Sequence, residues 1–168
     1  ENGGGRMTDT VTLILEIIGT IAFAISGALV GIEKRMDILG VAILGATTAV
    51  GGGIMRDLLL GSTPPQALQH PLYLIIAVCS AIVIFFSRIR SALRRNRVLF
   101  DAVLLVMDSI GLGVFTSVGI GAAKQLGSGM FISAFVGVVT GVGGGVMRDI
   151  MSGDIPFVFR KYFSAQPR

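Results

Sequence analysis

The stretch GGGIMRD occupies Gly51–Asp57, and GGGVMRD returns at Gly143–Asp149. Glycine lowers helix propensity by about 1 kcal/mol per residue relative to alanine, so a triple glycine should disrupt a helix. Both runs nevertheless sit inside long apolar stretches, each with an arginine and an aspartate close behind. The two copies lie 92 residues apart. At that offset the chain aligns with itself without a gap. Glu16 falls on Asp108, Gly19 on Gly111, Phe23 on Phe115 and Gly27 on Gly119. Gly45 falls on Gly137, Thr48 on Thr140, Gly61 on Gly153 and Pro64 on Pro156. About fifteen of roughly fifty positions are identical, which marks an internal duplication.

The medium in which this duplication folds follows from composition. Of 168 residues, 52% are hydrophobic and only 14% charged, whereas globular domains carry about a quarter charged residues. The mean hydropathy is +0.81. Glycine is abundant, at 24 residues, as close packing of membrane helices favours. The net charge of +4 does not point to nucleic acid. Arg88, Arg90, Arg94, Arg95 and Arg97 are gathered between two apolar runs, as in a cytoplasmic loop of a membrane protein.

A bilayer-crossing helix needs about 20 apolar residues. Five stretches meet or approach this: Val11–Ile32, Ile38–Leu60, Pro71–Phe86, Val98–Ala123 and Met130–Met151. The opening ENGGGRM reads as a leader over residues 1–9. Residues 10–87 make the first three-helix repeat, 88–97 a basic cytoplasmic loop, and 98–168 a second repeat. An arginine loop inside the cell puts the turn Glu33–Asp37 and the segment with Arg160 and Lys161 on the same side. The N-terminus then lies outside, and the protein spans the inner membrane several times. A repeat of three helices is an odd number, so the second copy enters from the opposite side. This is an inverted-topology repeat, common in transport proteins. The third helix should recur from about Phe163, but the sequence stops at Arg168, so the second copy is expected to be truncated.

Within this frame the motif residues acquire roles. Gly45, Ala49 and Gly53, and likewise Gly137, Gly141 and Gly145, recur four apart and form small-residue ridges for helix packing. Gly51, Gly52, Gly53, Gly143, Gly144 and Gly145 predict kinked or broken second and fifth helices. Irregular backbone at membrane depth is tolerated where it is buried or lines a cavity. Thr48 and Thr140, one turn before the glycines, offer hydroxyls to the same path. Arg56, Asp57, Arg148 and Asp149 come near helix ends. Neighbours on a helix point about 100° apart, so each is expected to find partners on other helices or at a pore mouth. Glu16 and Asp108 stand as acidic residues within the first and fourth spans, at a mouth or the interface. Lys124 is expected as a solvated loop charge, with a place at the mouth open to it.

Other chemistries fit poorly. The glycine runs lack the Lys-Ser/Thr of a P-loop and the spacing of a dinucleotide fingerprint. One cysteine, Cys79, and one histidine, His70 before Pro71, supply neither a metal site nor a catalytic set. No enzyme, cofactor or metal is expected.

The stretches ISGALVGIEKRMDILG (Ile25–Gly40), TTAVGGGIMRDLLLG (Thr47–Gly61) and TGVGGGVMRDIMSGDIP (Thr140–Pro156) resemble the bacterial relatives of the trimeric intracellular cation channels. The same prokaryotic family is also labelled a glycine transporter family. The resemblance implies an all-α integral membrane fold of seven helices, of which five spans are visible here. It implies a homotrimer in membrane lipid with one pore per subunit, passing monovalent cations such as potassium. The glycine-kinked helices would bound the pore, and Lys124 falls near a basic position implicated in the animal channels. The Lys-Glu-Val motif of the animal proteins has no counterpart here, and the last two helices are missing from the sequence. A secondary transporter of glycine or another small amino acid is the alternative, since inverted repeats with broken helices serve that function as well.

Overall fold

A computed structural model of the chain describes the backbone of residues 3–87 and 96–156, with side chains described for 10–87 and 96–156. Every described element is helical. They are α1 (Gly3–Glu33), α2 (Ile38–Leu59), α3 (Gln66–Gln69), α4 (Pro71–Phe86), α5 (Arg97–Gln125) and α6 (Met130–Met151). Four of these are long and apolar enough to cross a membrane, and α4 is a shorter apolar helix of 16 residues. All five expected apolar stretches are therefore helical, four of them at full span length. α1 reaches back to Gly3, into the segment expected to be a leader, and α3 adds a short turn in the expected loop. Arg88–Arg95 and the segment with Arg160 and Lys161 lie outside the described residues.

Local sequence sets the helix ends. Asp37 caps α2 by accepting from the Gly40 amide at 2.7 Å, and Asn96 caps α5 by accepting from Leu99 at 3.2 Å. Pro71 opens α4, where its missing N–H costs nothing. Gly61 and Gly153 take left-handed φ values of 70° and 76° beyond α2 and α6. There the Ser62 amide donates to the Asp57 carbonyl, and Asp154 to that of Asp149, each at 2.8 Å. The two repeats thus end their second helices alike.

Packing joins the repeats crosswise. α1 packs on α2 and α4, α5 packs on α6, and the halves meet through α1 against α5 and α2 against α6. The core combines small residues, Ala24, Ala28, Ala49, Ala77 and Ala81, with larger ones, among them Phe23, Leu29, Val41, Leu44, Phe100 and Phe115. Large apolar side chains face outward, among them Val98, Met130 and Phe131. Apolar side chains on the outer surface suit a lipid surround, since lipid gives no reason to hide a leucine.

The triple glycines do not break their helices. Helix α2 runs unbroken through Gly51–Gly53, and α6 through Gly143–Gly145. The glycines remove side chains where the two helices touch. A Cβ on Gly52 would overlap the Thr140 carbonyl oxygen, and one on Gly144 would overlap that of Thr48. A Cβ on Gly51 would stand 2.5 Å from Met147 Sδ, and one on Gly143 2.9 Å from Met55 Sδ. Close backbone contact offsets the propensity loss that a break was expected to express.

Candidate functional site: two charged cavities

The repeat brings its charged residues together as two clusters. In the first, Arg56 Nε donates to Asp57 Oδ1 at 2.8 Å, and Nη1 to Glu16 Oε1 at 3.2 Å. Arg56 Nη2 also donates to Gln66 Oε1 at 3.3 Å. Asp57 Oδ2 accepts from the Gln66 amide at 2.7 Å, and Glu16 Oε2 from Tyr73 Oη at 2.6 Å. In the second, Arg148 Nε donates to Asp149 Oδ1 at 2.8 Å and Nη1 to Asp108 Oδ1 at 2.6 Å. Ser26 Oγ accepts from Arg148 Nη1 and donates to Asp108 Oδ1 at 2.6 Å.

Neighbouring Arg and Asp residues were expected not to pair, because they leave the helix in different directions. Both pairs form. The three-methylene stem of arginine lets the guanidinium turn back over the adjacent carboxylate and still reach another helix. Burial makes these contacts consequential: Arg56 is 4% exposed, Asp57 2% and Arg148 2%. A buried charge stripped of its partner is costly in a low-dielectric interior.

Each cluster borders an open space. The first lines a cavity of about 270 Å³ with Thr12, Ser62 and Gln125 around it. The second lines one of about 760 Å³, where Glu33, Lys34, Asp101 and Asp154 add charge. By the 92-residue offset Glu33 corresponds to Gln125, Lys34 to Leu126 and Asp154 to Ser62. The cavities are therefore related by the repeat, one far more charged than the other. Two ion pairs tie the rim of the larger: Lys34 to Asp154 at 2.7 Å, and Arg97 to Glu33.

The other predicted residues sit apart from the charges. Thr48 and Thr140 are fully buried at the helix crossing, and each hydroxyl donates to the carbonyl one turn back, Leu44 and Val136, at 2.6 Å. Lys124 is exposed near the end of α5, and it lines neither cavity. His70 precedes α4, and Cys79 is exposed on that helix. Among the described residues no His, Cys, Asp and Glu side chains group to hold a metal ion.

Three participants escaped sequence reasoning: Gln66, Tyr73 and Ser26. Tyr73 carried a signal, a phenol in an apolar run that must find a partner. Ser26 was hidden because its repeat counterpart is Val118.

The family described as Glycine transporter matches residues 13–88 and 105–166. The chain is 42% identical over 144 residues to a UPF0126 membrane protein of Deinococcus radiodurans, covering 86% of this chain and 64% of that protein. It therefore spans less than two thirds of that relative. It is 39% identical over 146 residues to the UPF0126 inner membrane protein YadS of Escherichia coli K12, covering 87% and 68%. It also superposes on the TRIC trimeric intracellular cation channel orthologue from Rhodobacter sphaeroides. The TM-score is 0.81 at 39% identity, covering 90% of this chain and 75% of that one.

Proposed function

The chain belongs to the Glycine transporter family, to which the prokaryotic TRIC channels also belong, and on that premise we propose that it forms a passive channel for monovalent cations. Potassium is the expected ion, and the assembly is a homotrimer with one pore per subunit. The observation that carries this reading is the charge count at each vestibule. Two carboxylates face one guanidinium in both clusters, Glu16 and Asp57 with Arg56, and Asp108 and Asp149 with Arg148. Each cluster keeps a formal negative excess, which raises the local cation concentration and disfavours anions.

The path runs from one vestibule to the other through the α1, α2, α5 and α6 crossing. Arg56 and Arg148 hold the carboxylates in place rather than repelling the ion, because each guanidinium is spent on its two carboxylates and a neutral acceptor. The vestibule with Lys34 and Arg97 faces the cytoplasm by the distribution of basic residues, which puts the N-terminus outside. The inner membrane is the location, as the name of the Escherichia coli relative states for that protein.

The test is flux through proteoliposomes of the full-length protein loaded with potassium, with a voltage-sensitive dye as readout. A potassium-dependent potential is expected, with no uptake of labelled glycine. Saturable, gradient-driven glycine uptake without conductance overturns the channel and makes the vestibules a substrate route.

A further inference from the structure

The two vestibules lie toward opposite ends of α1 and α5 and share no lining residue. Along α1 one is bounded by Thr12, Leu15 and Glu16, the other by Val30, Glu33 and, just past its end, Lys34. On α5 they are bounded by Ser117–Leu126 and by Arg97–Asp108. Phe23 and Phe115 stand in the intervening stretch, equivalent by the repeat. Their rings stack with centroids 5.4 Å apart and planes 12° apart. Phe23 is 2% exposed and Phe115 5%.

The surrounding backbone is shaped to admit the stack. Gly19 lies under Phe115, where a Cβ would stand 2.9 Å from the ring, and a Cβ on Gly111 would overlap Phe23. α6 supports Phe23 from behind through Gly144, where a Cβ would be 3.0 Å away. On the side of Glu16, a cavity of about 30 Å³ touches Thr20 and Phe115, about the share of a single water. Stacked ring faces offer no oxygen to replace an ion's hydration shell, and apolar constrictions close pores by dewetting.

We propose that the Phe23–Phe115 stack is the gate that separates the two vestibules, and that conduction requires the rings to unstack. The assignment deepens the channel reading and rests on it.

The test uses full-length protein with Cys79→Ala and a reporter cysteine, Gln125→Cys, at the mouth of the smaller vestibule. Silver ion, comparable in size to potassium, is added from one face of sealed vesicles in nitrate medium. Protection of the cysteine from later maleimide labelling is then read. With both phenylalanines present, protection is expected only from the face that the reporter opens on. With Phe23→Ala and Phe115→Ala together it is expected from either face, and unstimulated potassium flux should rise at least tenfold. If the alanine pair fails to fold, Phe23→Leu with Phe115→Leu retains apolar volume without stacking and makes the same comparison. Two-sided protection with both rings present, or one-sided protection after their removal, overturns the gate. Silver access that follows the expectation while no variant carries potassium current overturns the channel reading instead.

Discussion

The backbone of Gly52 in α2 lies directly against the carbonyl oxygen of Thr140 in α6, closely enough that a Cβ would overlap it. Gly144 and Thr48 make the reciprocal contact. Gly53, one residue on, has nothing within 4 Å of its Cβ position. One motif therefore holds both an intolerant and a tolerant glycine. Gly52→Ala should destabilise the protein by about 1–3 kcal/mol, the usual cost of overpacking. Gly53→Ala should be neutral or stabilising by up to about 1 kcal/mol through helix propensity. Unfolding of the two variants in detergent, side by side, checks this; equal losses would show that flexibility rather than contact is what the motif supplies.

Arg148 satisfies Asp108, Asp149 and Ser26 at once while only 2% exposed. Arg148→Met would leave two carboxylates facing each other without a cation. A loss of about 3–5 kcal/mol is expected, as for other buried pairs broken on one side. Arg148→Lys should recover only part of it, because a point charge cannot engage separate carboxylates as a planar fork does. Full recovery by lysine would make this a matter of charge alone.

Tyr73 brings α4 into the first cluster by donating to Glu16 at 2.6 Å. Hydrogen bonds to charged groups contribute about 1.5–3 kcal/mol, so Tyr73→Phe should cost about that much stability. The measurement is a double-mutant cycle with Glu16→Gln. A coupling energy near zero would mean that the phenol matters only through its packing.

The pairing of Glu16 with Asp108 was legible because a 92-residue offset makes equivalence visible without coordinates. So were the spans, since α6 runs over the same residues as its apolar stretch. Helix continuity at Gly51–Gly53 was not legible. Propensity is a local quantity, and the contact that overrides it comes from Thr140, far along the chain. The Arg56–Asp57 pair was missed for a different reason. The 100° rule describes where Cβ atoms leave the helix, and a long side chain is not bound by it. Ser26 stands in the second cluster because α1 crosses between repeats, a relation that self-alignment of the sequence does not encode.

The ends of α1 and α5 make one last comparison possible within a single chain. Arg35 and Gly127 are repeat equivalents, and both adopt left-handed backbone, with φ of 59° and 71°. The hydrogen bonds match as well: Met36 N–H to the Gly31 carbonyl at 2.9 Å, and Ser128 N–H to that of Ala123 at 3.1 Å. Only glycine adopts this conformation freely, and other residues lose roughly 1–2 kcal/mol. Arg35→Gly should therefore stabilise the protein, by about 0.5–1 kcal/mol once the extra freedom of glycine in the unfolded chain is subtracted. Gly127→Ala should destabilise it by about 1 kcal/mol, and that loss is purely conformational because no atom lies within 4 Å of the Cβ position. Opposite signs at equivalent sites, measured by detergent unfolding, are the expected result. A loss on Arg35→Gly would mean that the guanidinium contributes more at the membrane surface than its backbone strain costs.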